Sequence, residues 1–373
     1  MKEKLRVLVV DDSAHNRRAI ADMLDSHPDI EVVGMADDGE KALKAASVLK
    51  PDLITLDLEM PRMDGFTFLR IVMSQMPTPI IVVSSENRKQ SVFQVLELGA
   101  LDFIAKPSRY FATDEKILRE EIITKALAVQ ALQRTPFARR GMHAATPQEP
   151  RHATPQPQAL PEPASREVNR LVCIGASTGG PPALQSIFRA LPLHANTAFV
   201  VAQHMPEKFT KAFAERLNRL SSLNIQESRD GVELMGGCVY IAPGGMHMEV
   251  LRGRSGGLGG RGGGRGGGGT TAVVSVTKAT SHDRYIPSID RLFDSAAESF
   301  ADKVMAVVLT GMGSDGSQGI RKVRDNGGRT IAESQETAIV FGMPKEAIQT
   351  GCVDESLPLE GIVKRVLAFS GGD

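Results

Sequence analysis

The sequence predicts two α/β domains, each built on a parallel sheet and joined by a proline-rich linker. Short apolar runs such as LRVLVV, LITL and TAFVVAQ are continuous in Val, Ile and Leu, the pattern of strands buried on both faces. Helix-length segments separate these runs, as a doubly wound α/β architecture requires. Between them, residues 128–167 include TPQEPRHATPQPQALPEPAS, where proline recurs and no apolar period survives. Such a segment cannot bury enough surface to offset its ordering entropy. The expected division is therefore 1–127, a 128–167 linker and 168–373, and 373 residues suit two domains better than one.

Composition narrows the function classes. Lys plus Arg equals Asp plus Glu at 44 each, so no global field draws nucleic acid or an anionic membrane. Cys173, Cys238 and Cys352 are odd in number and far apart, lying in or beside apolar runs. They read as reduced thiols used as small hydrophobes, not as a disulfide frame or a metal site. No apolar h-region follows the MKEKLR start and no apolar run approaches ~18 residues, so a soluble cytoplasmic protein without membrane insertion is expected.

In the first domain LRVLVV, EVVGMA, LITL, PIIVVSS and DFIAK read as strands, and the acids Asp114 and Glu115 mark the start of its last helix. Parallel α/β sheets place ligands at the carboxyl ends of their strands. Those ends carry Asp11 and Asp12 after the first strand, Asp57 after the third, Ser84 at the end of the fourth and Lys106 at the fifth. Three adjacent carboxylates repel one another unless a cation joins them, and all-oxygen ligation with room for waters suits Mg²⁺. An aspartate in such a site can attack a phosphoryl group. Lys106 would then offset the new charge and Ser84 would bond a phosphoryl oxygen.

The segments VVDDS, LDLEMPRMDG, VVSS and AKP resemble a bacterial response-regulator receiver domain over essentially all of residues 1–125. The resemblance implies a five-stranded, flavodoxin-like sheet with Asp57 as phospho-acceptor. It further implies Asp12 as the main metal carboxylate, Asp11 in support, the Glu59 carbonyl as another ligand and Phe103 as the switch aromatic.

The second domain opens on LVCIGASTGG. Ser177 could belong to a phosphate loop, cap a helix, or act as a nucleophile. A phosphate loop needs a lysine that this stretch lacks. A cap is common at a strand-to-helix turn. Residues 175–179, GASTG, also fit G-x-S-x-G, in which glycines permit the sharp turn that lifts a hydroxyl out of the sheet top. A nucleophilic serine needs a base and a group to orient it. TAFVVAQH places His204 at the end of the next strand, and VMAVVLTGMGSDG places Asp315 on a glycine-rich loop at the same sheet edge. His194, His247 and His282 are worse placed, and Asp283 is the next carboxylate in line. The order Ser, His, Asp excludes the α/β-hydrolase arrangement, which runs Ser, acid, His. CVYIAPGG and AVVSVTK supply further strands, and Pro206–Leu220 and Ser288–Phe300 read as helices. The glycine-rich stretch 253–269 reads as an insertion between HMEVLR and TTAVVSV, which look like neighbouring strands. Its arginines lack the interleaved aromatics of a nucleic-acid arm.

GASTGG, QHMP, YIAPG, LTGMGSDG and VFGMPKEAI resemble the catalytic domain of chemotaxis protein-glutamate methylesterases. The resemblance implies Ser177 as nucleophile, His204 as general base then acid and Asp315 as the orienting carboxylate; from its place in the glycine-rich loop, the Met312 N–H is read as an oxyanion donor. The resemblance implies no cofactor for the esterase step. It also implies a phosphorylation-controlled esterase that removes methyl groups from glutamates on chemoreceptor helices and deamidates receptor glutamines, phosphorylated by a chemotaxis-type sensor histidine kinase. Two departures stand out: the 253–269 insertion, and DRYIPSID where the family often has Arg-Pro before Ser-Val-Asp. Competing readings are a DNA-binding response regulator, which would need a basic recognition helix, and an adaptor with a vestigial triad.

Overall fold

The computed structural model describes residues 4–85, 89–106, 112–133, 168–193, 196–253, 271–280 and 282–371. Most of the 128–167 linker and the glycine-rich stretch lie outside the described residues. The chain divides into two compact units, residues 1–151 and 152–373.

The first unit alternates strand and helix: β1 (Leu5–Val10), α1 (Ala14–Asp25), β2 (Ile30–Ala36), α2 (Gly39–Leu49), β3 (Leu53–Leu56), α3 (Gly65–Gln75), β4 (Ile80–Ser85), α4 (Lys89–Glu97), β5 (Asp102–Lys106) and α5 (Ala112–Gln133). The five strands pair in parallel in the order β2-β1-β3-β4-β5. All four residues of LITL are buried, as the continuous apolar pattern required. Helix starts follow local chemistry: Ser13, Asp38 and Asp64 each accept a first-turn N–H and cap α1, α2 and α3. The α5 helix begins at Ala112, just before the acids that signalled it, and continues past residue 127 to Gln133.

The second unit carries a seven-stranded sheet and a separate hairpin. Its elements are β6 (Arg170–Ala176), α6 (Gly180–Ala190), β7 (Thr197–Gln203), α7 (Thr210–Leu220), β8 (Asn224–Glu227), β9 (Cys238–Ile241), β10 (Met246–Gly253) and β11 (Thr271–Lys278). There follow α8 (Ile289–Phe300), β12 (Val304–Val308), α9 (Ser317–Asp325), β13 (Arg329–Glu333), α10 (Met343–Gln349), β14 (Glu355–Leu357) and α11 (Leu359–Gly371). The large sheet runs β14-β13-β12-β6-β7-β9-β8, parallel throughout. HMEVLR and TTAVVSV do pair, but as an antiparallel two-stranded ribbon, β10 with β11, outside that sheet. The ribbon buries Met248, Val250, Ala272 and Val274 against Leu292, Phe293 and Ala296 of α8, within the main core of this unit.

Both large sheets reverse their winding at one place. In the first, β1 lies between β2 and β3; in the second, β6 lies between β7 and β12. Loops leaving the carboxyl ends of such neighbours diverge to opposite faces and open a crevice, which is where a ligand site is expected.

Close packing at β6 constrains what can stand there. A Cβ on Gly175 would lie 2.4 Å from Cγ2 of Ile289, the first residue of α8. Gly175→Val is therefore expected to destabilise the second unit by about 1–3 kcal/mol or more through overpacking. Chemical denaturation checks this, with a lower midpoint expected.

Candidate active site

The crevice of the first unit gathers the residues that the strand ends predicted. Asp11, Asp12 and Asp57 present carboxylate oxygens that all lie within 4.8 Å of one another. Asp11 and Asp57 are buried and Asp12 is exposed. The Lys106 ammonium bridges the buried pair, 2.7 Å from Asp11 Oδ2 and hydrogen-bonded to Asp57 Oδ2. Leu58 N–H donates to the other Asp57 oxygen at 2.7 Å, and Glu59 N–H reaches it at 3.4 Å. Burial pushes the Asp11 carboxyl up, with the Asp57 charge adding, and Lys106 only partly offsets this. Burial alone would lower Lys106, but the charges of Asp57 and Asp11 outweigh it and hold its pKa above the ordinary range.

Ser84 is buried and its hydroxyl has no hydrogen-bond partner among the described residues. An orphaned hydroxyl beside a cluster of carboxylates and one cation fits a site that receives an oxyanion and a hard cation. Phe103 is buried against Phe93 of α4 in an edge-on contact, with centroids 6.4 Å apart. Lys125 of α5 donates to the Phe103 carbonyl at 2.5 Å and lies 3.2 Å from the Asp102 carboxylate.

In the second unit Ser177 follows β6, His204 follows β7 and Asp315 lies on the loop after β12. Asp315 is the anchor. It is 2% exposed, and its Oδ2 lies 2.9 Å from His204 Nε2. Oδ2 also accepts the Ile289 N–H at 2.8 Å, and Oδ1 accepts the Asp290 N–H at 3.0 Å and faces Ser288 Oγ at 3.4 Å. Its carboxylate therefore sits on the N-terminus of α8, where two free N–H groups and the helix dipole favour an anion. Burial works to raise its pKa, yet the His204 contact and the two N–H groups prevail and hold it below the usual carboxylate value. The arrangement is reciprocal. Asp290, in the first turn of α8, accepts the Gly319 N–H at 2.7 Å and so caps α9, the helix that follows Asp315. Burial and the nearby Asp315 charge push Asp290 up to about 6.

His204 keeps a side-chain exposure of 15% and stacks on Tyr285, with ring centroids 5.4 Å apart and planes 2° from parallel. Its backbone N–H donates to Ala176 O at 2.9 Å, which sets His204 beside the turn that bears Ser177. With Nε2 committed to Asp315, Nδ1 is the nitrogen left to exchange a proton.

The helix-cap reading of Ser177 fails. The N-cap of α6 is Gly179, at φ +79° and without a side-chain cap bond. Ser177 N–H instead donates to Thr310 O at 3.0 Å, tying the serine to the end of β12. A Cβ on Gly311 would lie 2.7 Å from Ser177 Cβ, so only glycine lets the 311–313 loop come so close to the serine. Met312 follows Gly311 directly, and its N–H donates to no backbone carbonyl among the described residues, as an oxyanion donor requires.

Asp283, the reserve candidate for orienting His204, is used elsewhere. It lies 3.2 Å from Nε2 of His247 and 3.0 Å from Arg291. Thr280 donates to it through N–H and hydroxyl, and these bonds with His247 hold its carboxyl well below the usual range. His247 is fully buried and accepts the Ser288 N–H on Nδ1, so it steadies the start of α8 rather than the reaction.

Sequence reasoning did not find Tyr285, Gln203, Thr310 or Glu333. Glu333, at the end of β13, is buried, and its Oε2 accepts the Thr310 N–H at 2.8 Å while Oε1 accepts the Thr337 hydroxyl at 2.9 Å. Burial pushes its carboxyl up to about 7. The only readable signal for Tyr285 was its place in DRYIPSID, already set apart as unusual.

Fold and site together define a two-unit protein: a receiver-type phosphorylation switch and an α/β unit with a Ser, His and Asp on three adjacent strand ends. Comparison with known families agrees. Residues 7–117 match the response regulator receiver domain and residues 172–366 match CheB methylesterase. The chain is 46% identical, over 99% of its length and 98% of the relative's, to protein-glutamate methylesterase/protein-glutamine glutaminase 3 of Geobacter sulfurreducens. It is 44% identical over 99% of its length and 98% of the relative's to a Myxococcus xanthus protein of the same name, numbered 1. The crystal structure of the Thermotoga maritima CheB methylesterase catalytic domain is 39% identical, covering 53% of this chain and 97% of that one, with a TM-score of 0.47. The chain belongs to the CheB family of receiver-linked methylesterases.

Two predictions follow from this geometry. Asp315→Asn is expected to keep the fold and cut esterase turnover by about 10⁴, because the amide cannot hold the same His204 tautomer; steady-state kinetics on the folded variant reads this. The second concerns Glu333. A carboxyl whose folded pKa is about 7 binds more protons folded than unfolded between its ordinary value and 7, so its contribution to stability falls as pH rises through that window. Glu333→Gln should remove that fall, gaining up to about 3 kcal/mol at pH 8 relative to pH 4. Denaturant titrations at the two pH values measure it.

Proposed function

We propose that this protein is a phosphorylation-controlled serine esterase. It hydrolyses glutamate γ-methyl esters on chemoreceptor helices and deamidates glutamines there. The observation that carries the esterase reading is the buried Asp315–His204 bond, set at the sheet edge where Ser177 leaves the neighbouring strand. The receptor substrate is supported by the names of the relatives, which are protein-glutamate methylesterases and protein-glutamine glutaminases.

In the acylation step Ser177 Oγ attacks the ester carbonyl carbon and its proton passes to Nδ1 of His204. The Nε2 proton stays on His204, hydrogen-bonded to the Asp315 carboxylate, which stabilises the imidazolium. The negative charge that forms on the carbonyl oxygen is met by the Met312 N–H. Collapse breaks the C–O bond to methoxide, which takes the proton from His204 and leaves as methanol. Water then attacks the acyl-serine with His204 as base, releasing a glutamate carboxylate and restoring Ser177. With a glutamine the leaving group is ammonia and the rest is unchanged.

In the receiver, a phosphohistidine on a sensor kinase is the donor: its N–P bond breaks as a carboxylate oxygen of Asp57 bonds to phosphorus. Asp11, Asp12, Asp57 and the Glu59 carbonyl would hold Mg²⁺, which when bound offsets charge on the phosphoryl oxygens. Lys106 exchanges its pairing with Asp57 for the phosphoryl group, and the Ser84 hydroxyl gains the acceptor it lacks. Phe103 is the aromatic through which the change would be read.

The test is methanol release from a methylated chemoreceptor fragment. Ser177→Ala should lose activity by several orders of magnitude while folding normally. A small phosphodonor such as acetyl phosphate should raise turnover of the full chain by about 5- to 150-fold, the usual span of allosteric coupling. Asp57→Ala should stay at the resting rate. Near-normal turnover in Ser177→Ala, or activation surviving in Asp57→Ala, would overturn the corresponding half.

A further inference from the structure

The β6–β7 ladder ends at the pair Ala176 and Gln203, and the next residue on each strand is a member of the triad. Beyond that pair the two chains must part to make the crevice, so nothing in the sheet itself fixes Ser177 relative to His204. One bond survives, from the His204 N–H to Ala176 O. The remaining link is a side chain. Gln203 is 1% exposed, and its Nε2 donates to the backbone carbonyl of Ser177 at 2.9 Å and to that of His204 at 3.0 Å.

Two acceptors on one side fix which end of the amide is nitrogen, because the flipped amide would set oxygen against oxygen. The other end of the amide is packed but not hydrogen-bonded: Oε1 is buried without a hydrogen-bond partner among the described residues. It rests where a Cβ on Gly180 would come within 2.0 Å of it. A buried acceptor left unpaired is a cost that calls for a reason. Gly180 is the first residue of α6, and its N–H also donates to Ser177 O at 2.8 Å. The serine carbonyl is thus held by two donors, one from the helix and one from the amide.

We propose that Gln203 is a positioning residue that clamps the nucleophile-bearing turn to the backbone of the base and so sets the gap the proton crosses. The proposal rests on the assignment of Ser177 and His204 given above. Displacing reacting groups by about 1 Å costs on the order of 10²-fold in rate. The effect belongs in kcat, because the buried amide offers a substrate almost no accessible surface.

The experiment uses the full chain and methanol release from a methylated chemoreceptor fragment, with kcat expressed per folded molecule. Gln203→Met keeps the volume and removes the donor. The expected result is a kcat lower by about 10- to 100-fold with KM unchanged. A kcat loss under fivefold, or a loss that appears in KM, would overturn the proposal. Should Gln203→Met fail to fold, Gly180→Ala displaces the same amide from the other side and is read by the same limits; failure of both to fold would assign the amide to stability and also overturn it. Ser177→Ala is measured alongside. Full activity there rejects the triad itself, whereas an inactive Ser177→Ala beside an unimpaired Gln203→Met rejects the clamp alone.

Discussion

A carboxylate buried to 2% exposure must be offset, and in this protein the way Asp315 is offset organises the catalytic unit. Its charge is met by the first N–H groups of α8 and by His204. That places the start of α8 directly behind His204, which in turn requires the Ser288 cap, the His247 contact that holds Ser288 and the close approach of Ile289 to Gly175. Asp290 returns the cap to α9, so the loop carrying Asp315 and the helix receiving it are fixed by each other. The ribbon of β10 and β11 packs on α8 from outside and keeps that helix end in place. A rearrangement anywhere in this set would leave a buried charge uncompensated, so the set resists displacement as a unit.

The receiver solves a related problem in the opposite sense. Its buried carboxylates are compensated by a side-chain ammonium, that of Lys106, which bridges Asp11 and Asp57. A single lysine can be re-paired, whereas two backbone N–H groups at a helix end cannot. The first arrangement suits a switch and the second suits a catalyst. The orphaned Ser84 hydroxyl belongs to the same logic, since a switch needs a donor that is unsatisfied in one state and satisfied in the other.

Much of this was readable from the chain alone, because strand ends in parallel sheets are where both the chemistry and the strongest local pattern coincide. Asp11, Asp57, Ser84, Lys106, Ser177, His204 and Asp315 all follow buried apolar runs, and the sheets place them as those runs implied. Strands β8, β13 and β14 went unread. They are short edge or near-edge elements whose register depends on neighbours, and β14 has three residues. The reserve role for Asp283 also failed, since nothing in sequence shows that a buried His247 claims it first. Tyr285 showed only through its place in DRYIPSID, and Gln203 and Glu333 went unread for a different reason. Their importance lies in contacts with backbone or rings that only the folded chain brings to them, not in the type or spacing of the residues themselves.

The central claim is that Ser177 is a nucleophile made reactive by its surroundings and not a turn residue. A fluorophosphonate reports this directly, because it forms a stable bond only with an activated serine hydroxyl. The labelled full-length protein would be digested and the modified peptide sequenced by mass spectrometry. One adduct per chain, on Ser177 in LVCIGASTGG, is the predicted result, with labelling abolished in His204→Ala. Labelling of another serine, or unchanged labelling of Ser177 without His204, would contradict it.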